Sequence, residues 1–119
     1  MLKDINLTIK SGETIDIIGG TGSAKTSLVN LISRFYDIKS GQILIDGNDI
    51  KDVQIDSLRT QMGIMTQDNY IFSGTIRENI MYGNLNATEE EMIEALKTAC
   101  AWDFVQKNSK GIHATVGER

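Results

Sequence analysis

The residues best suited to chemistry in this chain stand in a row, Gly19 to Thr26, reading GGTGSAKT. A phosphate chain carries several negative charges. Consecutive main-chain N–H groups at the open start of a helix donate to its oxygens, and the helix dipole adds partial positive charge. Glycines let the backbone come close. In the pattern GxxxxGK[ST] the lysine reaches the outer phosphates and the hydroxyl after it holds a magnesium ion. Gly19 opens such a loop here, Lys25 is placed for the phosphates and Thr26 for the metal. Ala24 stands where the pattern asks for a second glycine. With a helical backbone its methyl group costs little. With a left-handed one the cost is roughly 1–2 kcal/mol, and the loop is strained or binds more weakly.

The flanking elements must hold this loop. The apolar run Ile15 to Ile18 precedes it, and Lys25 to Phe35 follows with Leu28, Leu31, Ile32 and Phe35 at helical spacing, Val29 beside them. This reads as strand, loop and helix. Upstream, Leu2 to Ile9 alternates apolar and polar residues and closes on Lys10, Ser11 and Gly12, which predicts a half-buried strand and a turn before a second strand, Glu13 to Ile18. Asp16 is unexpected in a strand covered on both faces, where an unpaired carboxylate costs several kcal/mol. It is read as facing solvent or a basic partner, with a metal-linked role as the alternative.

Further along, Gln42 to Ile45 predicts a short strand, and Asp46, Gly47 and Asn48 a tight hairpin turn. The turn accounts for Asp46, although an apolar run ending in aspartate also resembles a magnesium site. Ile55 to Gln61 predicts a short helix and Met62 to Thr66 a buried strand ending at Gln67 and Asp68. A side-chain amide at the carboxyl end of a parallel strand is placed to touch ligand at the crest of a sheet, but from position alone a plain loop residue is the better reading. Thr75 precedes Glu78, and Thr88 precedes Glu91, at capping-box spacing, so a helix should start at each. The second puts Met92, Ala95, Leu96, Ala99 and Cys100 on one face, and Asn108 to Arg119 reads as a polar loop with His113 on the surface.

Composition narrows the function classes. At 119 residues the chain is one domain or part of one. A net charge of −4 does not support a nucleic-acid footprint. No apolar run exceeds 4 residues, against about 20 for a membrane span, and no leader is visible. The lone Cys100 cannot form an internal disulfide, fits a reducing, cytoplasmic setting, and is read as a small packing residue. Composition shifts near Gln67, from strand-rich to helix-rich sequence.

Several stretches together resemble the nucleotide-binding domain of an ABC transporter of the exporter type. LKDINLTIKSGETI resembles that family's opening strands, Gly19 to Thr26 its Walker A loop, SGQILIDGNDI its hairpin, LRTQMGIMTQD the approach to its Q-loop, and FSGTIRENI the start of its helical subdomain. The resemblance implies an α/β, P-loop NTPase (ABC ATPase-like) fold, truncated, with N-terminal antiparallel strands. Residues 1–66 would be the ATP-binding core portion and 67–119 the Q-loop and the start of the helical subdomain. It implies ATP and Mg2+ as ligands, with Gly20, Thr21, Gly22, Ser23, Ala24, Lys25, Thr26 and Ser27 around the nucleotide, Thr26 and Gln67 at the metal, and Lys25 and Gln67 as the catalytic groups. It implies as partners a transmembrane domain and a second nucleotide-binding domain, at the cytoplasmic face of the cell membrane, and no nucleic acid.

Ala114 to Arg119 resembles the exporter segment that crosses toward the transmembrane helices, with Ala114 and Thr115 in place of the usual threonine and glutamate, and Asn108 and Ser109 replace a common Leu-Pro pair. The family's LSGGQ signature, Walker B aspartate, catalytic glutamate, switch histidine and adenine-stacking aromatic residue have no counterparts here, so the segment alone is expected not to turn over. Two other readings compete. A small P-loop kinase or GTPase would use Asp46 for the metal, but the scattered arginines form no acceptor lid and no base-reading motif is present. A non-catalytic truncated or redesigned fragment is the other.

Overall fold

The chain has no proline, so no helix is started or stopped by ring sterics. The computed structural model describes residues 2–117. Met1 lies outside them, as do Glu118 and Arg119, the end of the stretch read from Ala114. The chain divides into two compact units, Met1–Ile64 and Met65–Arg119.

In the first unit, helix α1 spans Lys25–Ile32 and stops short of the predicted Phe35. The reason lies at its end. Arg34 takes a left-handed φ of 54°, and the N–H groups of Arg34 and Phe35 turn back to the carbonyls of Leu31 and Asn30 at 3.1 and 3.0 Å, a Schellman closure made without glycine. Strands β1, Leu44–Ile45, and β2, Asn48–Asp49, pair antiparallel with Ile45 opposite Asn48. Asp46 and Gly47 join them at φ 49° and 79°, the two positive angles of a type I′ turn. The predicted hairpin is therefore present, with its first strand shortened to two residues. Helix α2, Ile55–Arg59, also ends earlier than the predicted Gln61.

The predicted strands Leu2 to Ile9, Glu13 to Ile18 and Met62 to Thr66 do not form ladders. A strand draws its hydrogen bonds from neighbours, and among the described residues no segment pairs with these three. Their apolar side chains are correspondingly uncovered: Leu7 is 60 % exposed, Ile18 95 % and Met65 88 %. The turn between the first two does form, with the Glu13 N–H on the Lys10 carbonyl at 3.1 Å, the Lys10 N–H on the Glu13 carboxylate at 2.7 Å, and Gly12 at φ 82°. Asp16 is exposed, in line with the solvent-facing reading.

The second unit holds a two-stranded pair, β3 (Gly74–Thr75) and β4 (Thr115–Val116), beside helix α3 (Ile76–Met81), with α4 (Glu89–Thr98), α5 (Trp102–Gln106) and a 3₁₀ turn at Gly111–His113 packed among themselves and on α3. Met92, Leu96, Val105 and Ile112 form its core, with Ile76, Met81, Ile93, Ala101 and Trp102 packed around them. Both predicted capping boxes are made: Thr75 and Thr88 accept from the N–H of Glu78 and Glu91, whose carboxylates accept in return from the N–H groups of Thr75 and Thr88. Two readings need correction here. Cys100 is not a packing residue on the helix face. It is exposed at φ 57°, just past α4, where the N–H of Cys100 reaches the Lys97 carbonyl and that of Ala101 the Leu96 carbonyl, a second Schellman closure without glycine. The tail is not loop throughout, because Thr115–Val116 pairs with Gly74–Thr75 and so ties the chain end to the start of α3. Among the described residues no helix is long and apolar enough to cross a membrane.

Candidate phosphate-binding site

Among the described α-helices, α1 alone has neither a side-chain cap nor an acidic first turn, since α2 and α5 lack caps but carry Asp56 and Asp103 there. Helices α3 and α4 meet their free N–H groups with threonine caps and glutamates in the first turn. Helix α1 has Ala24 as its N-cap, no side-chain cap and no acidic residue in its first turn. Among the described residues the amides of Ala24, Lys25, Thr26 and Ser27 have no acceptor. They stay available to an anion, at the positive end of the helix dipole.

The loop ahead of them folds over the Lys25 ammonium. Its Nζ donates to the carbonyls of Gly19 and Gly20 at 2.5 and 2.8 Å and to the Ser23 hydroxyl at 3.0 Å, which occupies all three of its N–H bonds. Ser23 N–H bonds back to the Gly20 carbonyl at 3.2 Å, and Gly22 sits at φ 79°. A Cβ on Gly19 would fall 2.6 Å from the Ser23 hydroxyl oxygen, so a side chain there would make the Ser23 hydroxyl move. Thr26 and Ser27, next on the helix, are exposed. Ala24 has φ 63° and ψ 24°, the left-handed case, so the methyl group sits where the backbone asks for glycine.

The donor set fits a phosphate chain. It offers free amides at an open helix end and an ammonium held within the loop. Among the described residues no group of three acidic, histidine or cysteine side chains is suited to a metal. Asp46 belongs to the hairpin turn, where its carbonyl accepts from the Asn48 amide at 3.2 Å.

Gln67 lies in the second unit, exposed, at a bend held by a bond from the Thr66 hydroxyl to the Asp68 carbonyl at 2.9 Å. The phosphate loop and Gln67 thus belong to different units. Beyond the bend, the Asn79 side chain grips the backbone, accepting from the Phe72 N–H at 2.9 Å and donating to the Phe72 and Thr75 carbonyls at 2.9 and 3.0 Å. The residues that steady α1 from behind, Arg34 and Arg59, carried no signal in the local sequence. Arg59 bonds to carbonyls 25 and 26 residues away, and spacing patterns do not reach that far.

A sequence profile described as ABC transporter matches residues 2–118. Among curated proteins, relatives named as multidrug export ATP-binding/permease proteins of Staphylococcus aureus match over the whole chain, at 53 % identity in strain NCTC 8325 and 52 % in the bovine strain RF122 / ET3-1. The chain spans 21 % of the length of those relatives. Among solved structures, a bacterial Atm1-family ABC exporter with ATP bound superimposes with a TM-score of 0.75 at 42 % identity, over 84 % of this chain and 18 % of that one.

Proposed function

This chain belongs to the ABC transporter family and carries part of its P-loop NTPase fold, and from that premise we propose that it is the ATP-binding portion of an exporter's ATPase domain. In the complete protein that domain couples ATP binding and hydrolysis to export across the membrane. The observation that carries the reading is the Lys25 ammonium held inside the loop beside the uncapped amides of Ala24 to Ser27. The ATP named with the solved exporter supports the choice of nucleotide.

In this reading Gly20 to Ser27 surround the phosphates. Lys25 neutralises charge on the outer ones, the Thr26 hydroxyl is the loop's donor to Mg2+, and by family resemblance Gln67 is the Q-loop glutamine. The ion supplies further charge neutralisation when bound, and phosphoryl transfer depends on that together with positioning. Residues 1–66 supply the core portion and 67–119 the Q-loop and the start of the helical subdomain. The partners are a transmembrane domain and a second nucleotide-binding domain, at the cytoplasmic face of the membrane; the curated relatives, by name, unite ATP-binding and permease parts.

Titration with magnesium-ATP in a calorimeter tests this. Binding heat is expected from the chain and is expected to vanish in Lys25→Ala. Equal heat from both, or none from either, would remove the reading.

A further inference from the structure

Helix α1 buries none of its residues, and Val29 and Ile32 on it are exposed. Eight residues make a rod only about 12 Å long. With so little apolar packing, its direction depends on what holds its far end. That end is held by one side chain from α2. The Arg59 Nε donates to the Ser33 carbonyl at 3.1 Å and its Nη2 to the Arg34 carbonyl at 2.9 Å, while the guanidinium lies 4.8 Å above the Phe35 ring centre. Ser33 is 3 % exposed, so its carbonyl sits in the one well-covered place along this stretch. A cation here also meets the negative end of the helix dipole.

Arg34 completes the anchorage. It occupies the left-handed position that glycine would fill without strain, and it uses its side chain from there. Its Nη1 donates to the Ile50 and Lys51 carbonyls at 3.2 and 3.4 Å, and its Nε pairs with Asp37 at 3.2 Å. The carboxyl end of α1 is thus tied to α2 and to the strand exit after β2.

We propose that Arg59 is a positioning residue for the phosphate loop: by gripping the carboxyl end of α1 it sets where the amides of Ala24 to Ser27 point. This rests on the phosphate-binding reading of the loop. It assigns Arg59 no contact with nucleotide. Lysine cannot replace it, because one ammonium does not reproduce a planar fork on two successive carbonyls with its face on an aromatic ring.

The test uses the 119-residue chain with magnesium pyrophosphate as probe, at a temperature where circular dichroism shows each variant folded. In Arg59→Ala the affinity is expected to fall about tenfold, the effect of losing a charge-assisted hydrogen bond. Arg59→Lys is expected to stay within about twofold of that weakened value. Nitrogen-15 relaxation is expected to show the ligand-free amides of Ala24 to Ser27 dropping from about 0.85 toward 0.6 in order parameter in Arg59→Ala, with α4 unchanged. Native order at those amides in Arg59→Ala, or native affinity, overturns the proposal whatever happens to the melting temperature. Lys25→Ala separates the two levels. If it binds as the parent chain does, the phosphate reading fails, and the relaxation data still decide what Arg59 does.

Discussion

Ala24 carries the sharpest consequence of a single residue. Its backbone is left-handed, at the junction where an uncapped helix start meets the lysine-bearing loop. A Cβ in that conformation crowds the following carbonyl, a cost glycine avoids. Ala24→Gly should therefore raise stability toward urea by about 1 kcal/mol, net of the extra freedom glycine has when unfolded. An unchanged urea midpoint would show that the loop absorbs the methyl group without strain. The octet was legible because its residue types and spacing are local. The sign of one backbone angle was not, since alanine adopts either hand according to what surrounds it.

At the level of elements, the starts of α1 to α4 were legible, the ends of α1, α2 and α4 were not, and α5 gave no signal at all. A capping box is a four-residue device, so Thr75 with Glu78 and Thr88 with Glu91 declare it without help from the rest of the fold. The ends of α1 and α4 turn on Arg34 and Cys100, neither of which advertises a left-handed residue, and the apolar spacing ran on past both. The α3 box also makes stability depend on pH. Hydrogen bonds from the Thr75 backbone N–H and hydroxyl, with Arg77 nearby, hold the Glu78 carboxyl below its ordinary range. A depressed folded-state value means this contribution is fully present above the unfolded-state pKa and is lost as pH falls through the folded one. The stability gap between the parent chain and Glu78→Gln should be open at neutral pH and close in acid. A gap that stays constant across that range would mean the carboxylate's charge contributes nothing to the cap.

For the whole molecule the contrast is between a unit with a core and one whose apolar strands lack cover. Met92, Leu96, Val105 and Ile112 enclose one another in the second unit, whereas Ile5, Leu7, Ile9, Ile17 and Ile18 in the first lie 41 % to 95 % exposed. Amides without a ladder open readily, and those in a packed helix do not. Hydrogen exchange followed by mass spectrometry should find residues 2–9, 13–18 and 62–66 exchanging almost at once and α4 slowest of all. Slow exchange across 13–18 would mean that this stretch is paired.

What the sequence settled by itself is everything encoded within a few residues: the lysine and hydroxyl after a glycine-rich loop, the two capping boxes and the Asp-Gly hairpin. Each depends only on bonds that near neighbours can make. What the tertiary structure decided depends on segments far apart in the chain. It left three apolar stretches without strand partners, brought Arg59 to the carbonyls behind α1, paired the tail with the start of α3, and turned Ala24, Arg34 and Cys100 left-handed. The physical reason is reach, because a backbone group can be satisfied by any donor or acceptor that the fold delivers, and local spacing does not say which one arrives.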